Sequence, residues 1–379
     1  MANRPDIANA LEAWEFFAGG GLAGLGLDGF RIGLANDIDA MKARAFRANH
    51  PDTPLIEGDV WTLDAADLAG APDLLWASSP CQDVSLAGAR GGLEARRSGA
   101  FWGFWKLVEG LKAQGRAPRA IVIENVVGLL TSGRGRDFAA VCSVLAEGGW
   151  RVGALELDAA LWLPQSRPRL FIVALRDAEA PETSGPSGPF HSPRLIAAHA
   201  RLPERVKGAW AWWSLPAPPR RNTDLASILI PDAEADWLSP PRVEALMTQL
   251  APLHRARLDQ ALASGERQVG AAYRRVRTQR GIKTQRLELR FDGLAGCLRT
   301  PAGGSSRQYV VVAEAGQVQV RLLTGREAAR LMGVADSYIL PGSESAALKL
   351  MGDAVAVPAV RALARSLLTP ALAAGRKAA

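Results

Sequence analysis

The sequence predicts an α/β fold: a parallel sheet covered by helices on both faces, followed by a second, smaller domain. Three observations predict it. Short apolar runs alternate with helix-length segments through the first 176 residues. A stretch rich in Pro, Gly, Ser and acid, DAEAPETSGPSGPFHSP, then breaks the rhythm over residues 177–193 and reads as a linker. Beyond it stand a tryptophan group (Trp210, Trp212, Trp213), the proline cluster PAPPRR and a basic segment, without clear period.

Taken in order, the apolar runs place strands at residues 13–17, 31–35, 74–77, 120–123 and 170–175. Order returns after the irregular region with a strand at 318–323. It is followed by TGREAARLMG, in which Thr324 is the N-cap of a helix, Glu327 its capping-box partner and Gly333 its terminator. The Ala- and Val-rich tail after Met351 reads as helix packing back on the first domain. The expected division is a first domain of residues 1–176, completed by 349–379, and a second of 177–348.

With 379 residues, 48% hydrophobic and 22% charged, the chain is neither disordered, collagen-like nor a coiled-coil rod. No uncharged apolar run approaches the ~18 residues of a membrane span, and Asp6 and Glu12 lie where a signal peptide would be apolar. An intracellular protein is expected. Cys81, Cys142 and Cys297 lie far apart, as do the four histidines, so neither disulfides nor a metal site is expected. The net charge of +7 is concentrated: residues 267–290 hold eight basic groups and one acid, Glu288, an excess equal to that of the whole chain. Such a segment suits a phosphate backbone or, more simply, a solvated basic surface.

Several residues have the character of a site. Phe17-Ala18-Gly19-Gly20-Gly21-Leu22 follows the first strand as a glycine turn, and Asp37 stands 18 residues beyond Gly19, where a carboxylate can accept from ribose hydroxyls. Asp59 follows a further strand-like run. Together they favour a cofactor containing adenosine. Ser79-Pro80-Cys81-Gln82 ends the 74–77 strand and offers a thiol nucleophile at the cleft, or a buried free cysteine. The arginine-bearing stretch 82–99 is long enough for a lid or binding loop. Glu124-Asn125 ends another apolar strand, where an acid is either hydrogen-bonded structure or a general acid. Gln165, Arg167 and Arg169 alternate before LFIVAL and are expected on one face of a strand.

In their order FFAGGG, SPCQDVSLAG, IENVVGLL, PQSRPRLFIV and RLLTGREAARLMG, these segments resemble the DNA (cytosine-5)-methyltransferase family from Phe16 to Gly333. The resemblance implies a Rossmann-like S-adenosylmethionine-dependent methyltransferase sheet with a target-recognition domain. It implies Cys81 as the nucleophile at cytosine C6, Glu124 at N3 and N4, and Arg167 at the carbonyl O2, supported by Gln165 and Arg169. The cofactor would meet Phe17, Ala18, Gly19, Gly21, Asp37, Ile38, Asp59, Val60, Pro80, Asp353 and Ala354. Double-stranded DNA, with its target base flipped out, would meet Gln82, Ser85, Arg274, Arg275, Arg277, Arg299 and Thr300, the last two within a recognition loop at 293–307. No metal is implied, a monomer suffices, and a cognate restriction endonuclease is a possible but dispensable partner. The family also implies a prokaryotic or phage enzyme working in the cytoplasm on the nucleoid.

Two departures stand out. Leu22 ends the turn where many relatives have glycine, and Met351-Gly352-Asp353-Ala354-Val355 carries Asp353 where the family usually has asparagine. An extra carboxylate near a sulfonium would affect cofactor affinity, unless it is a tolerated isostere. Alternatives stay open: transfer to a tRNA cytosine, although Cys297-Leu298-Arg299-Thr300 departs from that branch's Cys-Phe-Thr; an RNA-specific enzyme, disfavoured by Glu124-Asn125 in place of Thr-Cys; a silent DNA binder; and, remotely, a nicotinamide dehydrogenase.

Overall fold

The computed structural model describes residues 10–80, 99–279, 281–300 and 307–376, so Cys81, Gln82 and Ser85 lie outside the described residues. Contacts divide the chain into two compact units, residues 1–158, 168–218 and 357–379 in the first and 159–167 and 219–356 in the second.

Unit 1 is built on seven strands: β1 (Leu11–Phe16), β2 (Phe30–Asp37), β3 (Leu55–Glu57), β4 (Leu74–Ala77), β5 (Ala120–Val126), β6 (Arg151–Asp158) and β7 (Pro168–Leu175). Their spatial order is β3-β2-β1-β4-β5-β7-β6. The first five run parallel. β7 runs antiparallel to both β5 and β6, which corrects the expected parallel sheet. The cause is the short excursion of residues 159–167 between β6 and β7, fewer than the roughly twelve residues that a parallel crossover needs.

Both faces of this sheet are covered. Trp14 and Phe16 on one face of β1 and Ala13 and Glu15 on the other are all at most 2% exposed. Four helices complete the doubly wound part: α1 (Leu22–Gly26), α2 (Ala40–Asn49), α3 (Ala100–Ala113) and α4 (Arg136–Glu147). α3 buries Phe101, Phe104, Leu107, Val108 and Leu111, the three- and four-residue spacing of one helix face. The tail is helical over Val357–Leu363 and packs on α1, where a β carbon on Gly26 would fall 2.6 Å from that of Val360.

The region expected as a linker holds β8 (Glu182–Thr183), paired with β9 (Trp212–Trp213), and belongs to unit 1. The tryptophan group belongs there too, with Trp210 bridged to Val152 of β6. The contact boundary therefore falls at Pro218, not at residue 177.

Unit 2 contains a four-stranded antiparallel sheet of order β11-β10-β12-β13, formed by β10 (Gln268–Gln279), β11 (Ile282–Arg290), β12 (Gln308–Glu314) and β13 (Gln317–Leu322). Helices Pro240–Met247 and Pro252–Ala263 cover its apolar core of Leu246, Leu258, Leu287, Leu289, Val311 and Val320. The β10–β11 hairpin escaped sequence analysis because Tyr273, Arg275 and Arg277 alternate with Arg274, Val276 and Thr278, leaving neither face apolar. The Thr324 cap and its Glu327 partner are present as expected. Glu327 also forms a fully buried, two-pronged ion pair with Arg321, at 2.6 and 2.9 Å.

Candidate active site and cofactor cradle

The carboxyl edge of the unit 1 sheet carries the cradle. Phe17 sits at φ 55°, Gly19 at 58° and Gly21 at 78°, so three residues of the turn occupy the left-handed region. A bulky phenylalanine there is strained, and strain of this kind collects at functional turns. Asp37, 6% exposed at the end of β2, fixes the turn by accepting from the N–H groups of Gly19 and Asp39, both at 2.8 Å. Ala18 donates to Asn36 O at 3.0 Å, and buried Asn36 ties β2 to β3 through Ile56 O and Gly58 O. Next to Asp37, Ile38 is 67% exposed. Asp59 is exposed, with its side chain accepting from Trp61 N–H at 3.0 Å, while Val60 is buried. An open backbone at Gly19, with nothing within 4 Å of an added β carbon, a strand-end carboxylate and an exposed apolar side chain fit an adenosyl group with a ribose.

Glu15 of β1 is buried and accepts from Gly24 N–H of α1 at 3.1 Å. Burial pushes its carboxyl up to about 8, assisted by repulsion from Asp37 and opposed by the backbone donors of Gly24 and Ala23. The folded state therefore binds a proton that the unfolded state releases. Glu15 favours folding fully below about pH 4.5, and this contribution is lost as pH rises to about 8. We expect the melting temperature of wild type, relative to that of Glu15→Gln, to fall across this window in pH-stepped thermal unfolding. A constant difference would refute the assignment.

The candidate catalytic residues that the structure describes lie at the end of β5. Glu124 is 6% exposed and pairs with Arg169, Nε to Oε1 at 3.2 Å. The register explains the meeting: Glu124 stands opposite Phe171 of β7, and Arg169, two residues away, lies on the same face as its diagonal neighbour. Only an antiparallel β7 brings its first residues to the carboxyl end of β5. Buried Asn125 donates to Ser79 O at 3.0 Å and to Ser79 Oγ at 3.3 Å, which ties β5 to the Ser79-Pro80 segment. Pro80 is exposed.

Gln165 and Arg167 are placed otherwise. β7 begins only at Pro168, so the alternation does not continue into one strand face, and both side chains belong to unit 2. Arg167 is 1% exposed and donates to Leu298 O at 3.0 Å, Gly352 O at 2.9 Å and Ala354 O at 2.5 Å. Gln165 accepts from Leu298 N–H at 3.1 Å and donates to Leu331 O at 2.7 Å. These two side chains join segments that are distant in sequence. Thr300 donates to Asp353 Oδ1, and a β carbon on Gly352 would lie 2.7 Å from the Arg299–Thr300 backbone. Asp353 and Arg299 are exposed and Ala354 is half-buried.

On the basic hairpin Arg274 lies over the Tyr309 ring at 5.8 Å and Arg275 over Tyr273 at 4.9 Å. Glu288 accepts from Tyr273 Oη at 2.8 Å and Arg277 Nε at 2.7 Å; burial raises its carboxyl, but these donors and the charges of Arg275 and Arg277 together outweigh that and hold it below the usual range. Asn125, Ser79, Asn36 and Glu15 have no role assigned from the sequence alone. Asn125 had a visible signal, its place beside Glu124 at a strand end; the others are recognised by their partners alone.

The fold is that of solved methyltransferases. Over 95% of this chain and 99% of the other it superposes on the S. pombe Dnmt2 methyltransferase, with TM-score 0.58 and 18% identity. A putative DNA modification methyltransferase from an E. coli prophage gives TM-score 0.55 at 18% identity, over 96% of this chain and 100% of that one. The C-5 cytosine-specific DNA methylase family model matches residues 11–369, and the chain belongs to that family. Its relatives include the type II methyltransferase M.PspPI of Psychrobacter sp. (strain TA137), 34% identical over 46% of this chain, and M.Eco47II of Escherichia coli, 32% identical over 45%. The matches span 42% and 40% of those two proteins' lengths.

Proposed function

We propose that the protein transfers a methyl group to C5 of cytosine in double-stranded DNA. The observation that carries this reading is the Glu124–Arg169 pair at the strand end, tied through Asn125 to the segment that leads into Cys81, within a chain of this family. Cys81 thiolate adds to C6 of a flipped cytosine, which makes C5 nucleophilic. Glu124 holds N3 and N4 and stabilises the protonated ring. Arg169 then takes the clamp position at the base carbonyl that the resemblance implied for Arg167, because Arg169 is the guanidinium beside Glu124. Once C5 carries the methyl group, loss of its proton lets Cys81 leave and restores the aromatic ring.

S-adenosylmethionine, when bound, supplies the methyl at an electrophilic sulfonium carbon. Asp37 would receive the ribose hydroxyls, Ile38 would cover the adenine, Asp59 would accept from its amino group, and Phe17, Ala18, Gly19, Gly21, Val60 and Pro80 would line the remainder. Asp353 and Ala354 complete this set in our reading. Unit 1 serves catalysis and unit 2 target recognition in this reading, with Arg274, Arg275 and Arg277 on phosphates and Arg299 and Thr300 in the reading loop. A monomer suffices for this chemistry. The setting is the bacterial cytoplasm, for an enzyme of bacterial or phage origin, in a restriction-modification system or as a solitary enzyme.

The test is transfer of radiolabelled methyl to unmethylated duplex DNA and to tRNA, with Cys81→Ser beside wild type and base-resolution mapping of the product. Label at cytosine C5 in a fixed DNA context, absent with the variant, is the expected result. Label on tRNA alone would move the substrate to RNA, and DNA binding without transfer would leave a silent binder.

A further inference from the structure

The glycine turn rests on a side chain that the reaction itself does not use. His50 caps the C-terminal end of α2, donating its backbone N–H to Phe46 O at 2.8 Å, and its ring lies against that of Phe46, tilted by 36° with centroids 4.6 Å apart. From there its Nε2 reaches Gly20 O at 3.2 Å. A carbonyl only accepts, so Nε2 carries the proton in this contact. The same ring occupies the space in front of Gly21: a β carbon on Gly21 would fall 2.4 Å from His50 Nε2 and 2.9 Å from the Phe46 ring. The turn therefore has two unlike sides. At Gly21 it is backed tightly by an imidazole, whereas at Gly19 nothing lies within 4 Å of the corresponding point.

A turn of three successive glycines has many conformations of similar energy, and ordering it on binding would cost entropy. Besides the turn's own Gly21 N–H to Ala18 O bond at 2.8 Å, two side chains reduce that freedom, Asp37 on the Gly19 N–H and His50 on the Gly20 carbonyl. Asp37 also has a ribose to receive; His50 has no such second task. We infer that His50 is a positioning residue for the cofactor, holding the Gly19–Gly21 backbone in its binding conformation by one donated hydrogen bond and by the shape of its ring. Burial keeps the imidazole below its ordinary range and so neutral at neutral pH, which suits a fixed donor rather than a proton carrier. This inference rests on the adenosyl-cofactor reading of the turn.

The experiment is calorimetric binding of S-adenosylhomocysteine to the full chain, with thermal unfolding and steady-state KM and kcat measured alongside. His50→Ala is expected to weaken binding about tenfold, as for loss of one hydrogen bond and its preorganisation, and to raise KM for S-adenosylmethionine more than it lowers kcat. His50→Gln, whose amide can donate to Gly20 O, is expected to recover most of the affinity. His50→Leu, which fills the space without donating, is not. Unchanged affinity in His50→Ala, even with a lower melting temperature, would overturn the inference, as would full recovery by leucine but not glutamine. Wild type that fails to bind S-adenosylhomocysteine would instead bring down the cofactor reading, and this inference with it.

Discussion

Glu124→Gln is expected to lower methyl transfer by roughly 10²–10⁴-fold, the range for a positioned acid or base, with little loss of stability. Glutamine keeps the shape and one acceptor oxygen, so the strand end and its packing against β7 persist. It removes the negative charge that faces Arg169 at 3.2 Å and that would stabilise the protonated ring. Arg169 then keeps its place without its counter-ion, and the base loses the group that favours its cationic form. The measurement is single-turnover transfer from S-adenosylmethionine to duplex DNA at saturating concentrations, with S-adenosylhomocysteine binding as a control for the cradle. Turnover within a few-fold of wild type would show that Glu124 serves only the sheet edge.

Arg167→Met and Arg169→Ala are expected to fail in different ways, although two residues separate them in sequence. Methionine retains much of the apolar stem at 167 but leaves the carbonyls of Leu298, Gly352 and Ala354 without the guanidinium they share. At ~1–3 kcal/mol for each buried group left unsatisfied, tempered by relaxation, a loss of about 3–5 kcal/mol is expected. Arg169→Ala removes a half-buried partner of Glu124 and is expected to leave the melting temperature within a few degrees while reducing turnover about 10²-fold or more. Denaturant unfolding and single-turnover rates on both variants check this. A destabilised Arg169→Ala beside a stable but inactive Arg167→Met would reverse the assignment.

The contrast between these arginines shows how far the sequence carried. The glycine turn, Asp37 at the end of β2 and Glu124-Asn125 at the end of β5 were each visible in their places because a local rule marks them: glycines after a strand, a carboxylate at a fixed distance, a polar pair closing an apolar run. The capping box at Thr324 and Glu327 was visible for the same reason, since both partners lie within one helical turn. By contrast, the alternation of Gln165, Arg167 and Arg169 misled, because spacing gives a shared face only where the strand has begun, and β7 begins at Pro168. The linker composition of residues 177–193 did not reveal the β8 pairing with the tryptophan segment, a contact that depends on residues about thirty positions away.

By itself, the sequence determined the α/β class, the carboxyl-edge placement of the cradle, the family resemblance and the location of the basic excess. All of these follow from composition, local period or motif order. Tertiary structure alone decided that β7 runs antiparallel and so delivers Arg169 to Glu124, that Arg167 is committed to backbone carbonyls, and that His50 lies against the glycine turn. The physical reason is common to all three. Strand direction, buried hydrogen bonds and close approaches are set by partners distant along the chain, and no window of sequence contains both members of those pairs.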